Sequence, residues 1–430
     1  MGNESIVKNL RLFTVFLVVL IDLIGFGIVL PLMPFYASEF GASPVMIGLL
    51  YSIYSVAQLI FSPIWGGWSD KIGRRPIMLL STFGASVAYI LFGLADTFTL
   101  LMLSRLLAGV MGGNISTAQA YIADVTDVKD RARGMGLIGA AFGLGFVMGP
   151  ALAAGLIHPS ISAFAADLGM PNFAAWLTEH AFALPAFFAA ILSFASFLLV
   201  YFKLEETVVK GADVSVGAKD GVFTKAYWTN LVETSRGSTS GMLLILLMIS
   251  MFILSFGQSS LYSAFPLFCE AVLGMTAGQV GIQFFWLGII TAIIQGGLIR
   301  PLTKVFREET LFLVGNFLMA IGLFLLGTAS TIPELTMYLS IMAVGHSLNL
   351  PTVTSLISQK ADPKRMGATI GATQGLSGLG RAIGPTWGGF LFAISFDLPF
   401  WLTGVVVFST VFIAIKVRNT NDQPGTIQTS

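Results

Sequence analysis

The sequence predicts an all-α integral membrane protein of twelve transmembrane helices in two six-helix halves. Three observations carry that reading. The chain of 430 residues is 55% hydrophobic and only 10% charged, with a mean hydropathy of +0.84, whereas a soluble domain is about a quarter charged. Its apolar residues gather into twelve stretches of bilayer length, and several residues recur at one fixed offset. Too little polar side chain is present to cover a globule of this size, so lipid is the solvent that suits the composition.

The same composition excludes several functions. A net charge of +1 gives no sign of nucleic acid or another polyanionic partner. Cys269 stands alone, which rules out an internal disulfide and a cysteine-rich metal site. His158, His180 and His346 are far apart, with no His-Glu-x-x-His spacing, so no metal is expected. No phosphate-binding G-x-x-x-x-G-K-[S/T] loop occurs, and no nucleophile is set beside a base. Neither an enzyme nor a cofactor is expected.

The elements follow in order. "MGNESIVKNL" is short and polar, and apolar sequence runs from Leu12 to Tyr36. That run is too long for a cleaved signal peptide, and Ile6 stands where myristoylation needs Ser or Thr, so it reads as a retained first span. A span needs roughly 20 mainly apolar residues. Qualifying segments lie near 12–37, 44–68, 76–95, 98–123, 134–157, 182–202, 240–269, 277–299, 310–329, 332–357, 366–392 and 397–416. Of the 23 lysines and arginines, all but Arg105 and Arg381 fall on the side that carries both termini. The positive-inside rule makes that side cytoplasmic. The halves are residues 1–203 and 240–430, joined by a cytoplasmic linker over 204–239.

Within span one, Asp22 is the only acid near the middle of any span, roughly 15 Å along the helix from Leu12. Gly25, one turn on, leaves room beside it. A carboxyl in that low-dielectric setting is a candidate reversible proton carrier, or else a structural hydrogen-bonding group. Between spans two and three, "GGWSDKIGRR" crowds Asp70, Lys71, Arg74 and Arg75 between uncharged blocks 40–69 and 76–95. Span four carries Arg105 at the start of a small-residue face with Gly109, Gly112 and Gly113.

Span five shows the repeat. Gly136, Gly145, Gly149 and Pro150 return as Gly371, Gly380, Gly384 and Pro385 in span eleven, each 235 residues later. The same offset pairs Asn114 with Asn349, Thr117 with Thr352, Asp127 with Asp362 and Pro31 with Pro266. Pro185 and Pro399, before spans six and twelve, differ by 214, so the first half holds 21 extra residues between spans five and six. "AADLGMPNFAAWLTEHAF" lies there, with apolar residues at helical spacing, and is expected to form a short helix on the membrane surface. In the second half "VFREE" stands opposite "KIGRR" with most charges reversed, and Glu308 and Glu309 are candidates to meet Arg131 and Arg133.

These motifs together resemble the major facilitator superfamily, and more narrowly its drug:proton antiporter branch. The resemblance covers nearly all the spans. It rests on Gly66, Asp70, Gly73, Arg74 and Arg75 in the loop, on Arg105 and Gly109 in "LLMLSRLLAGVMGG", and on "GLIGAAFGLGFVMGPALAAG" in span five. "LIDLIGFGIVLPLMP" in span one is similar to the tetracycline-efflux group. It implies the major facilitator fold, with spans one, four, seven and ten around one cavity. It implies that the 66–75 loop latches the outward-facing state, with Asp70 at the N-terminal end of span eleven and Arg74 and Arg75 tying across the seam between halves. A plain topology anchor explains the arginines but neither Asp70 nor the glycines.

The resemblance also sets the expected function: a secondary transporter that exports a small organic solute or drug against protons by alternating access. Asp22 and Arg105 are then the proton-coupling residues, and they are expected to interact. Candidates to line the substrate cavity are Asn114, Gln119, Tyr121, Gln258, Tyr262, His346 and Asn349. His346 is alternatively a buried hydrogen-bonding group, and the asparagines are alternatively helix contacts. Arg381 reads as a brace for span eleven or as a coupling group. Tyr36, Tyr121, Phe265, Trp286 and Trp387 are aromatic candidates for the same pocket or for packing. Gly145, Gly149 and Pro150 serve the antiporter motif or helix approach alone. Tetracycline exporters of this type carry acids within spans three and nine, and this chain has none in either, which argues against metal-bound tetracycline. Uniport or proton symport of a metabolite, and a non-transporting sensor, are the rival readings. The expected partners are protons, a small-molecule substrate and the lipid of a cell membrane, and a monomer is expected.

Overall fold

A computed structural model describes residues 2–208, 239–362 and 366–421, with side chains assigned outside 2–8, 128–133, 239, 367–368 and 421. The regular elements among the described residues are all helices. The first stretch holds α1 (Gly2–Glu39), α2 (Pro44–Ile72), α3 (Arg74–Gly93), α4 (Phe98–Met111), α5 (Asn114–Val125), α6 (Val128–Leu156), α7 (Pro159–Asp167), α8 (Pro171–Glu179) and α9 (Ala183–Lys203). The second holds α10 (Thr239–Leu273), α11 (Ala277–Ile293), a π-helical turn (Ile294–Leu298), α12 (Ile299–Val305), α13 (Glu308–Leu326), α14 (Ile332–Lys360), α15 (Met366–Phe392) and α16 (Leu398–Asn421).

Ten helical stretches among the described residues are long and apolar enough to cross a membrane, so the protein is a multi-pass membrane protein. They match the predicted spans except the tenth and eleventh. Those two form α14 and α15, helices of 29 and 27 residues. Their length suffices for a bilayer, but Ser, Thr, Asn, Gln and Gly dilute their hydropathy. Two predicted single helices are interrupted. The fourth span breaks at Gly112–Gly113 into α4 and α5, and the eighth relaxes into a π turn at the Gly296–Gly297 pair. The predicted surface helix between spans five and six is two short helices, α7 and α8, divided at Gly169, whose φ of +77° suits glycine. The polar N-terminal residues continue α1 rather than preceding it.

The ends of the helices show the duplication in the backbone. Thr97 and Thr331 cap α4 and α14, accepting from the amides of Leu100 and Glu334 at 3.3 and 3.4 Å. Gly41 and Gly274, with φ of +70° and +62°, follow α1 and α10. The chain forms two compact units, Met1–Val214 with Phe265–Ile289, and Ser215–Ala264 with Ile290–Ser430. The first has a core of Val15, Val18, Val19, Met78, Tyr121, Ile122 and Val200 around α1. In the second, Gly322 and Gly345 let α13 and α14 approach, since a Cβ at Gly322 would come within 2.6 Å of Met342 Cα.

Candidate functional site

Asp22 lies half-buried on α1, in a stretch without an internal breaker before Pro31. Its partner is Asn114, the first residue of α5. The break at Gly112–Gly113 re-aims the helix there, and the Asn114 amide donates from Nδ2 to Asp22 Oδ2. Asp22 Oδ1 is buried with no hydrogen-bond partner. Among the described residues, no cation pairs with this carboxylate.

The expected contact between Asp22 and Arg105 is not made. Arg105 is only 2% exposed, and its guanidinium lies over the Phe92 ring at 4.4 Å and beside the Tyr89 ring at 5.7 Å. Nε donates to Ser104 Oγ at 3.4 Å, and Nη2 is buried without a partner. A desolvated cation–π contact is worth about 2 kcal/mol, so the rings of α3 stand in for a counter-ion. The physical reason is helical phase. Arg105 sits on α4 and Asn114 on α5, and the break at Gly112–Gly113 between them sets the direction of each separately. Asn114 meets α1, and Arg105 meets α3.

Other side chains complete this polar cluster within the first unit. Gln58 on α2 donates to the carbonyl of Gly112 at 3.0 Å, satisfying backbone freed at the break, and approaches Tyr54 Oη at 3.4 Å. Phe26, one turn past Asp22, packs on Tyr54 (ring centroids 5.2 Å) and edge-on to Phe146 (5.9 Å). Sequence reasoning passed over Phe26, Tyr54, Gln58 and Tyr89. For Tyr89 a signal existed, because Gly25 leaves a notch on α1 that a large neighbour must fill.

The glycine motif brings backbones together. A Cβ on Gly27 would lie 2.9 Å from the Gly145 carbonyl oxygen and 3.1 Å from Gly149 Cα, so α1 and α6 touch main chain to main chain. Gly281 and Gly288 place α11 on the same helix, with a Cβ at Gly288 2.7 Å from the Phe146 carbonyl oxygen. In the second unit, Gly380, Gly384 and Gly388 repeat the pattern against Phe252, Phe256 and Ser260 of α10. Ser263 donates to the Pro385 carbonyl at 2.8 Å. Gly136 has open space around it, and Gly371 lies on α15. Pro150 and Pro385 both sit inside unbroken helices.

The charged loop is tied within the first unit. Gly66 lies in α2, and Gly73, with φ of +112°, ends α2 and starts α3. Arg74 pairs with Asp70 at 2.5 Å and with Asp124 at 3.1 Å, and donates to Ser69 Oγ at 2.7 Å. Arg75 donates to the Tyr201 carbonyl at 2.6 Å. Glu206, just past α9, accepts from the amides of Arg74 and Arg75 at 2.9 and 3.2 Å and so caps α3. Glu205 pairs with Arg11. These contacts of Arg74 and Arg75 lie within the first unit. Residues 363–365, before α15, lie outside the described residues, as do the side chains of Arg131 and Arg133 and most of the 204–239 linker. Glu309 pairs with Arg307 at 3.5 Å, and Glu308 accepts from Gln359 at 2.9 Å.

The remaining candidates scatter. Gln119 is exposed on α5, while Tyr121 is fully buried in the apolar core of the first unit and packs there rather than lining a cavity. Gln258 and Tyr262 are within 3.4 Å of each other on α10. Arg381 donates to Ser377 at 2.9 Å, and Ser377 meets Ser255 of α10 at 2.7 Å, a bracing arrangement. His346 is half-buried and makes no hydrogen bond among the described residues. Asn349 is buried against Gly315 and reaches Met319 Sδ at 3.7 Å. Tyr36 donates to the Ala95 carbonyl at 2.6 Å, Phe265 packs edge-on to Phe284, Trp387 reaches Thr403 at 3.3 Å, and Trp286 is exposed.

This chain is similar over nearly its full length to bacterial resistance proteins. It is 28% identical to the class D tetracycline resistance protein of Salmonella ordonez, covering 93% of this chain and 95% of that one. It is 29% identical to multidrug resistance protein 1 of Bacillus subtilis, covering 96% of each. Among solved structures, the human organic anion transporter MFSD10 shares the fold with a TM-score of 0.68 at 23% identity, over 95% of this chain and 99% of that one. A model of the Major Facilitator Superfamily matches residues 15–385, and again 247–428. Since that model spans most of its length, the chain belongs to the Major Facilitator Superfamily.

Proposed function

We propose that the protein is a proton-coupled exporter of a small organic solute, working by alternating access with Asp22 as its proton carrier. The observation that carries this is the Asp22 carboxylate: mid-span, half-buried, held on one oxygen by Asn114 and free on the other, with no counter-ion among the described residues. A charge that deep in a membrane is costly unless it does work. Open to the cytoplasm, Asp22 gives up its proton and the site loads solute. Open to the far side, a proton displaces the solute and neutralises the carboxylate for the return. Similarity to tetracycline and multidrug resistance proteins supports export. Spans three and nine hold no mid-span acid, which favours a solute other than metal-bound tetracycline. In this reading the halves 1–203 and 240–430 flank a cytoplasmic linker at 204–239, and the protein works as a monomer in the cell membrane with both termini cytoplasmic. Its partners are protons, the solute and lipid, without nucleic acid.

The test uses purified protein in lipid vesicles with an imposed pH gradient, and ethidium as the probe. Proton and probe are expected to move in opposite directions. Asp22→Asn is expected to insert and fold but to lose proton-driven accumulation entirely. If Asp22→Asn still concentrates a probe on a proton gradient alone, the carrier is another residue.

A further inference from the structure

Arg105 and Asp22 do not touch, yet one side chain reaches toward both. Tyr89 on α3 is buried, and its ring lies beside the Arg105 guanidinium. Its phenol end fills the notch at Gly25, where a Cβ would come within 2.7 Å of Oη and 2.9 Å of Cζ. Gly25 is three residues from Asp22, close to one helical turn. Tyr89 Oη stands at this notch, and Asp22 Oδ1 is buried without a hydrogen-bond partner. A buried acceptor without a donor is costly, and the phenol hydroxyl one helical turn along α1 is a donor able to join it.

We propose that Tyr89 is a positioning residue that transmits the charge state of Asp22 to Arg105, with Gly25 as the notch that admits it. When Asp22 is charged, the Tyr89 hydroxyl donates to Oδ1 and draws its ring along α1. When Asp22 takes up a proton, the hydroxyl returns to the Gly25 notch. Because the ring is one wall of the Arg105 site, each movement changes what the guanidinium rests on. The inference rests on Asp22 being the proton carrier. The other titratable or charged groups near this seam are Tyr54 from α2 and Arg105 from α4, which act on Tyr89, and Tyr51 from α2, which acts on Arg105. The amide of Asn114 comes from α5, and α6 faces α1 with Gly145 and Gly149. On α9 the only titratable groups are Tyr201 and Lys203, at its cytoplasmic end.

Infrared difference spectroscopy of the full-length protein in lipid tests this without any transported solute. The protonated-carboxyl band that disappears in Asp22→Asn reports Asp22, and its titration midpoint is read in each variant. Tyr89→Phe keeps the ring and removes only the hydroxyl. It is expected to move the midpoint to higher pH by about one to two units, the size of one charge-assisted hydrogen bond. Gly25→Ala, which pushes the phenol out of place, is expected to shift the midpoint as well. The residual carboxyl titration in Asp22→Asn should be unaffected by Tyr89→Phe. A midpoint unchanged in Tyr89→Phe overturns the role of Tyr89 and leaves the carrier assignment standing. Absence of any titrating band that Asp22→Asn removes overturns both.

Discussion

Gly149→Ala adds one methyl group where α6 meets α1. Built on the present backbone, that methyl carbon lies 2.6 Å from both Cα and the carbonyl carbon of Gly27, and 2.8 Å from the Ile24 carbonyl oxygen. Carbon atoms in contact prefer about 3.5–4.0 Å, so the two helices must separate by about 1 Å. Each obstacle is main chain, so no side-chain rotation relieves it. A gap of 0.5–1 Å forfeits a quarter to a half of the dispersion energy between atoms it separates, and here it opens along the whole Gly27–Gly145–Gly149 contact. Overpacking of this kind costs about 1–3 kcal/mol. The assay is unfolding of the detergent-solubilised protein, followed by heating or denaturant, with Gly139→Ala and Gly143→Ala as controls on the same helix. Those two glycines have no atom within 4 Å of a built Cβ, so alanine there is expected to be neutral or slightly stabilising. Gly149→Ala should unfold earlier than native protein and than both controls. An unfolding midpoint for Gly149→Ala equal to the controls would refute the claim that α1 and α6 are packed backbone to backbone.

Two further outcomes concern the charged loop between α2 and α3. Asp70 is 43% exposed and Arg74 keeps Asp124 and Ser69 as partners, so Asp70→Asn should cost less than about 1 kcal/mol of stability. If the loop also latches the outward-facing state, the same variant slows transport and alters cysteine labelling on the two faces, while unchanged transport and labelling reduce the loop to a topology anchor. Glu206→Ala removes the cap on the Arg74 and Arg75 amides, a loss of about 0.5–2 kcal/mol for the start of α3. Trypsin cleavage after Lys203 should become faster, and an unchanged rate would show that Glu206 does not hold this segment.

Most of the helical scaffold was legible because lipid makes a strict demand: runs of apolar residues of fixed length, with charge left to the loops. What was not legible depended on local backbone geometry. Gly112–Gly113 gave no advance sign of a break, since the same glycines also suit close packing, and it took the Gln58 amide to satisfy the freed carbonyl. The π turn at Ile294–Leu298 is similarly invisible in a hydropathy pattern. At the candidate site, scarcity of charge pointed to Asp22 and Arg105, and opposite charge suggested a pair. Rotational phase decided otherwise, and phase is fixed by the break at Gly112, not by residue type. Glu206 was overlooked because its partners are backbone amides, which every sequence carries and none advertises.

The duplication sharpens what is particular to the first half. Both halves keep the packing device: Gly145 and Gly149 against α1, Gly380 and Gly384 against α10. Both keep the asparagine, Asn114 and Asn349. At the repeat offset, however, Asp22 corresponds to Gly257, whose Cβ position is occupied by Val407 at 2.6 Å. Asn114 therefore has a carboxylate to hold. Asn349 has none, and its Oδ1 is buried without a partner while its Nδ2 reaches only a thioether sulfur at 3.7 Å. A duplicated asparagine with a duplicated acid would have been a framework contact in both halves. With the acid in one half alone, the hydrogen bond to Asp22 is not required by the shared architecture, since the second unit packs its helices without it. The packing device is common to both repeats; the ionisable centre stands in one of them. If Asp22 is the proton carrier proposed above, that asymmetry follows from a single proton site, and it directs attention to α1, α3, α4 and α5 rather than to the glycine-lined seams.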